Sequence, residues 1–308
     1  KGIPFSDCNT CCGGRSLMRR LVNPPMLKAP FPWFGKKDTI APLVWERFGE
    51  VKHYIEPFFG SGAVLLANPS PPPWETINDL DGFVSNFWRA TKYAAEEVAE
   101  HADWPVSEID MHARHEALVR ARAWLTKMLI ADPEWYDAKM AGWWVWGQSV
   151  WLGSGWCDAV KIGKSTSRKR PHLSSRQGVI VESNLALLLH LKQRLKQTRV
   201  LCGEWYRLLT ASALYRASPI GVFLDPPYDN TRSRLYAVDD MQLYKDVGDW
   251  CLEYGDKPTM RICFAGYEGM FDPPNNWETV CWKARGGMKN GGSYVNANKT
   301  RERLWFSP

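Results

Sequence analysis

Residues 220–228 read Ile-Gly-Val-Phe-Leu-Asp-Pro-Pro-Tyr, and this stretch limits the fold more sharply than any other. A short apolar run of strand length ends at a carboxylate, two prolines and an aromatic ring. Proline fixes φ and offers no backbone N–H, so a central strand cannot continue through residues 226 and 227. The chain must leave the sheet there, which puts Asp225, Pro226, Pro227 and Tyr228 at the carboxyl end of a buried strand. Open α/β sheets bind their ligands at that end.

The tetrad suits methyl transfer to an exocyclic amino group on an aromatic ring. Such a nitrogen is a poor nucleophile because its lone pair is delocalised, and acceptors for its N–H groups draw it toward tetrahedral geometry. Asp225 and the carbonyl of Pro226 are the expected acceptors, and Tyr228 offers a ring to stack on the base. The same four residues also read as an ordinary exit from strand to loop, so neighbouring motifs must decide.

Upstream, Val51–Ile55 reads as a first strand, followed by the turn Glu56-Pro57-Phe58-Phe59-Gly60-Ser61-Gly62 and a helix from Ala63 to Leu66. Glycines allow close approach of backbone to a ligand. The turn lacks the Gly-Lys-Ser/Thr ending of a phosphate-cradling loop. A second strand ends at Asn78-Asp79, and Asp79 lies 19 residues beyond Gly60. That is close to the spacing at which an acidic side chain binds a ribose hydroxyl in nucleoside folds. Asp81 competes for that role but is explained as the N-cap of a helix beginning at Gly82.

These blocks, taken with Pro32-Trp33-Phe34-Gly35-Lys36-Lys37 and Asn78-Asp79-Leu80-Asp81, resemble the Dam-like (alpha-group) DNA adenine-N6 methyltransferases from about residue 30 to 230. The resemblance implies an α/β, Rossmann-like S-adenosylmethionine-dependent methyltransferase fold. Its sheet would be mixed but mostly parallel, with helices on both faces and an inserted, mainly helical target-recognition domain. The implied reaction is transfer of the methyl group of S-adenosyl-L-methionine to adenine N6 in double-stranded DNA, the base being flipped out for direct in-line attack. Catalysis would fall to Asp225, Pro226, Pro227 and Tyr228. Trp33 would lie against the cofactor and Lys37 would reach its carboxylate. Glu56, Pro57, Phe58, Gly60, Gly62, Asp79 and Asp225 would complete the cofactor site. Between the Trp and that Lys the family usually has a small residue and two glycines; here Phe34, Gly35 and Lys36 stand there. No metal is expected.

Between about Trp104 and Gly178 the α/β rhythm breaks, which marks residues 104–178 as an inserted target-recognition domain within a catalytic domain of residues 26–103 and 179–308. Eight of the 17 tryptophans fall between 104 and 156, and a small core of their own is expected for most of them. No acidic residue occurs between Asp158 and Glu182, so Lys161, Lys164, Arg168, Lys169, Arg170 and Arg176 concentrate much of the net charge of +6. Beside a methyltransferase core these cations suit DNA phosphates, although such a run elsewhere is usually a solvated loop. Residues 1–25 are expected to form a flexible tail. Cys8, Cys11 and Cys12 hint at zinc there, but no fourth ligand lies nearby. With no apolar run of membrane-spanning length and no signal-peptide pattern, cytoplasmic residence is expected, without membrane contact. The expected state is a monomer acting on double-stranded DNA, with a cognate restriction endonuclease as an optional partner. The alternatives are cytosine-N4 methylation, where Ser more often opens the tetrad, and a catalytically silent DNA-binding module.

Overall fold

The computed structural model describes residues 27–33, 35, 37–68, 70–152, 155–158, 171, 182–210, 214, 217–228, 240–283 and 301–308. Seven strands form one sheet: β1 (His53–Glu56), β2 (Trp74–Asp79), β3 (Thr198–Cys202), β4 (Ile220–Leu224), β5 (Met260–Tyr267), β6 (Glu278–Cys281) and β7 (Glu302–Phe306). Their order is β3-β2-β1-β4-β5-β7-β6. The first five strands pair in parallel, whereas β7 runs antiparallel to both β5 and β6. This is the mixed, mostly parallel α/β sheet expected. β1 and β4 are buried at every position, as strands covered on both faces must be.

The chain lays down β2 and β3 on one side of β1 and then crosses over to place β4 on the other. The reversal of direction therefore falls between β1 and β4, and the ligand crevice of such a sheet opens at their carboxyl ends. The register Ile55↔Val222 brings Glu56, at the end of β1, alongside the exit of β4. β5 runs on to Tyr267, past the end of its pairing with β4 at Phe264, because β7 supplies backbone partners for Cys263 to Tyr267.

Helix α1 (Ala41–Phe48) begins with proline in its first turn and stops at Gly49. A turn precedes it, in which the Lys37 carbonyl accepts from the amides of Ile40 and Ala41. The short α2 (Ala63–Leu66) follows the glycine turn. Helix α3 (Gly82–Ala102) is capped by Asp81, whose side chain accepts from the Phe83 amide, and it kinks at Ala94. Ser107 caps α4 (Glu108–Ala131), with Glu108 and Asp110 in the first turn opposite the positive end of the helix dipole. Asp137 caps α5 (Ala138–Val150). Helices α6 (Glu182–Arg194) and α7 (Asp240–Tyr254) complete the set described. No helix among the described residues is long and apolar enough to cross a membrane.

The tryptophans of 104–156 do not make a separate core. Trp144, 2% exposed, sits with its ring centroid 5.1 Å from Phe31 and 5.7 Å from Phe87. Trp146, Trp151 and Trp156 belong to the same apolar cluster as Phe31, Phe87 and Trp88. The reason is the seating of α5 on α3: a Cβ at Gly142 would lie 2.8 Å from the Val98 carbonyl, so glycine there lets the two helices close up. Burial between them joins what composition alone suggested were two cores.

Candidate active site

Two loops distant in sequence meet where the sheet reverses. Lys37, almost wholly buried, places Nζ 2.8 Å from Oδ2 of Asp225, whose side chain keeps 20% of its surface exposed. The same Nζ donates to the Gly35 carbonyl at 2.9 Å and to the Tyr228 hydroxyl at 3.3 Å. Three donors and three acceptors leave the side chain one orientation. Burial raises the pKa of Asp225, and the Lys37 charge opposes that rise by favouring the carboxylate. The sequence resemblance implied that Lys37 would reach the cofactor; here it holds the carboxylate at the exit of β4.

Tyr228 is fixed at its hydroxyl and along its ring. The hydroxyl donates to Glu302 Oε2 at 2.8 Å. The ring stands edge-on to Tyr267, with centroids 4.7 Å apart and planes at 82°, and to Tyr244 at 6.1 Å. Burial first, then the charges of Asp225 and Glu302, push the phenol well above its usual range, so it stays a neutral donor. Pro226 is buried, and Pro227 is half-buried beside it.

The glycine turn is held from three directions. Gly60 and Gly62 adopt φ of +48° and +63°, values that L side chains rarely take. The Gly60 amide donates to Asp79 Oδ2 at 2.9 Å, and its carbonyl accepts from Trp88 Nε1 at 2.9 Å. Trp33 packs directly on Gly60, where an added Cβ would come within 2.5 Å of its indole nitrogen. Asn78 donates to the carbonyls of Pro57 and Gly203 at 3.0 and 2.8 Å, tying together the chain that leaves β1 and β3. Asp79 also accepts from the Asp81 amide through Oδ1 at 2.9 Å. In this structure it clamps the turn to the end of β2. Asp81 caps α3 as expected and pairs with Arg122 at 3.1 Å.

Glu56 is 2% exposed and accepts from the Tyr54 hydroxyl at 2.8 Å. Burial pushes its carboxyl well above the usual range, and the nearby charge of Asp225 adds to the effect. Phe58 is half-buried, its ring 6.3 Å from Trp205 and inclined by 28° to it, at the carboxyl end of β3.

The fold thus brings Trp33, Lys37, Glu56, Pro57, Phe58, Gly60, Gly62, Asp79 and Asp225 to one end of the sheet, with Tyr228 beside them. Lys161, Lys164, Arg168, Lys169, Arg170 and Arg176 lie outside the described residues, as do Phe34, Lys36 and residues 1–26. Trp88 and Glu302 are contacts that the sequence reading did not single out. The available signal for Glu302 was a carboxylate opening a strand that ends in three apolar residues, Glu-Arg-Leu-Trp-Phe. Among the described residues no group of His, Cys, Asp and Glu could hold a metal ion.

No curated protein matches the chain. Residues 33–111 match the family model of the D12 class N6 adenine-specific DNA methyltransferases. The matched segment holds Trp33, the glycine turn and Asp79; the Asp225–Tyr228 tetrad lies beyond it. An adenine-specific model does not favour the cytosine-N4 alternative, and an enzyme family does not favour a silent binding module. On this match and on the mostly parallel sheet behind it, the chain is an enzyme that methylates adenine N6 in DNA.

Proposed function

We propose that the chain transfers the methyl group of S-adenosyl-L-methionine to a flipped-out adenine, with Asp225 and the Pro226 carbonyl as acceptors for the N6 amino group. The observation that carries this reading is the Lys37–Asp225 contact of 2.8 Å, which closes the segment beside the glycine turn onto the end of β4. The residues present fit the cofactor: two left-handed glycines, the Trp33 indole packed on Gly60, and a carboxylate at the end of β2. Gly60 and Gly62 would hold its methionine portion, and Asp79, at the end of β2, would meet the ribose. Phe58 and Trp205 lie toward β3, on the side where its base would rest. When bound, S-adenosylmethionine supplies an electrophilic methyl group on a sulfonium.

The protein's part is to aim the amino nitrogen. Asp225 accepts an N–H most strongly as the carboxylate, the form that the Lys37 charge favours from Oδ2. With Oδ2 taken by the Lys37 ammonium, Oδ1 is the oxygen that would accept from the substrate amino group. Tyr228 offers its ring to the base. Positioning and pre-aimed acceptors suffice for direct displacement, without a covalent enzyme intermediate. An adenine inside the duplex cannot present N6 in line, so it must rotate out of the stack. Residues 104–178 are the proposed target-recognition part, with Lys161, Lys164, Arg168, Lys169, Arg170 and Arg176 on the phosphates. A monomer fits this reading, either standing alone or paired with a restriction endonuclease.

The test is incubation of the purified chain with methyl-labelled S-adenosylmethionine and unmethylated genomic DNA, followed by nucleoside analysis. Label should appear in N6-methyladenine and vanish with Asp225→Ala, while DNA binding persists. Label in another nucleoside, or an Asp225→Ala variant as active as the parent, would defeat the assignment.

A further inference from the structure

We propose that Glu302 is a positioning residue for methyl transfer, acting through Tyr228 and Lys37 on Asp225. This rests on the assignment of Asp225 as the amino-group acceptor. Glu302 opens β7 and is 7% exposed, whereas Leu304, Trp305 and Phe306 on the same strand are apolar and buried. A carboxylate is costly to bury unless it is hydrogen-bonded. Glu302 accepts the Tyr228 hydroxyl proton at 2.8 Å.

The geometry fixes the direction of every proton in the chain of contacts. A phenol has one proton to donate, and an ammonium accepts none. With Lys37 donating to the Tyr228 oxygen at 3.3 Å, the phenol proton must go elsewhere, and Glu302 receives it. Lys37 therefore stands between Asp225, which it touches, and Glu302, which it reaches through one hydroxyl. The ring is gripped as well: β5 and β7 pair Tyr267 with Glu302, and the Tyr267 ring stands edge-on to that of Tyr228. The reversed strand β7 thus supplies the acceptor, and its neighbour β5 the wall, that orient Tyr228. Removing the carboxylate frees the phenol proton to turn, and with it the contact that shares Lys37.

The test uses the full chain with labelled S-adenosylmethionine and unmethylated genomic DNA, comparing Glu302→Gln, Tyr228→Phe and the double variant. Single-turnover methylation is read alongside the equilibrium affinities for cofactor and for DNA. Glu302→Gln should slow methyl transfer by about tenfold, the scale of one charge-assisted hydrogen bond, with both affinities unchanged. The double variant should be no slower than Tyr228→Phe alone, because the two residues act in series. Transfer by Glu302→Gln at the parent rate would overturn the proposal. So would a double variant slowed by the product of the single effects, or loss of cofactor binding together with activity, which marks a merely structural residue. An inactive parent chain would overturn this proposal and the assignment of Asp225 together; an active parent with uncoupled variants would overturn this one alone.

Discussion

Lys37 Nζ lies 2.8 Å from Asp225 Oδ2, so a loop that precedes the first strand holds the carboxylate at the exit of the fourth. Burial and the lysine pull the pKa of that carboxylate in opposite directions, burial being the stronger. Lys37→Met leaves burial alone. The carboxyl should then protonate at higher pH, and a neutral acid is a weaker acceptor for the substrate N–H than a carboxylate. The acid limb of the rate profile should therefore move to higher pH. Single-turnover rates measured across pH decide it, and an acid limb that stays in place would show that Lys37 does not govern Asp225.

At Gly60 backbone and neighbour both oppose a side chain. Gly60→Ala combines a left-handed φ of +48° with a Cβ 2.5 Å from the Trp33 indole nitrogen. The backbone alone costs roughly 1–2 kcal/mol. Displacing Trp33 should in addition reduce affinity for S-adenosylmethionine. Gly269→Ala is the control, since Gly269 has φ +81° and nothing within 4 Å of an added Cβ. Both variants should melt earlier, but calorimetric titration should show weaker cofactor binding only for Gly60→Ala. Equal cofactor affinity in the two would remove the glycine turn from the binding site.

The parts of this site that were legible in the sequence are those fixed by local chemistry. Two prolines must end a strand, so β4 and the position of Asp225 followed from residues 220–228 alone. The Asp81 cap followed from an acidic residue just ahead of an apolar helical run. The Tyr228–Glu302 bond was not legible, because it joins residues 74 apart and depends on β7 running antiparallel between β5 and β6. Nor was the Lys37–Asp225 pair, since the path from residue 33 to residue 40 decides which way the ammonium points. Tryptophan content showed that residues 104–156 bury large rings, but not against what. The answer lay in the close approach of α5 to α3 at Gly142.

At the opposite end of the sheet, His53 couples stability to pH. It is 4% exposed, with Nε2 2.9 Å from Thr76 Oγ1 and 3.3 Å from the Arg199 guanidinium. Burial first, then the Arg199 charge, pushes its pKa down to about 4 from 6.5. A histidine depressed in the folded state binds its proton more readily when unfolded. Its contribution is therefore full above about 6.5 and is lost as pH falls toward about 4. The loss is at most roughly 3 kcal/mol. Urea midpoints at pH 7 and pH 5 should separate more widely for the parent chain than for His53→Gln, which cannot take up the proton. Equal separations would mean that His53 titrates normally.

Arg194 and Glu75 form the most enclosed ion pair described, at 10% and 3% side-chain exposure. Both terminal guanidinium nitrogens reach the carboxylate at 2.6 Å, and Thr198 Oγ1 donates to the same carboxylate at 2.8 Å. Arg194 also donates to the Leu65 carbonyl at 2.9 Å, so the pair ties α6 and β2 to the short helix behind the glycine turn. Arg194→Met strands the Glu75 charge in a site closed to water, and breaking such a pair costs about 3–5 kcal/mol. Replacing both partners removes the charge that would be stranded, so Arg194→Met with Glu75→Leu should recover most of that loss in a urea titration. Glu75→Gln alone should cost less than Arg194→Met, because the guanidinium retains the Leu65 carbonyl. A double variant no more stable than Arg194→Met would mean that packing, rather than the stranded carboxylate, sets the cost.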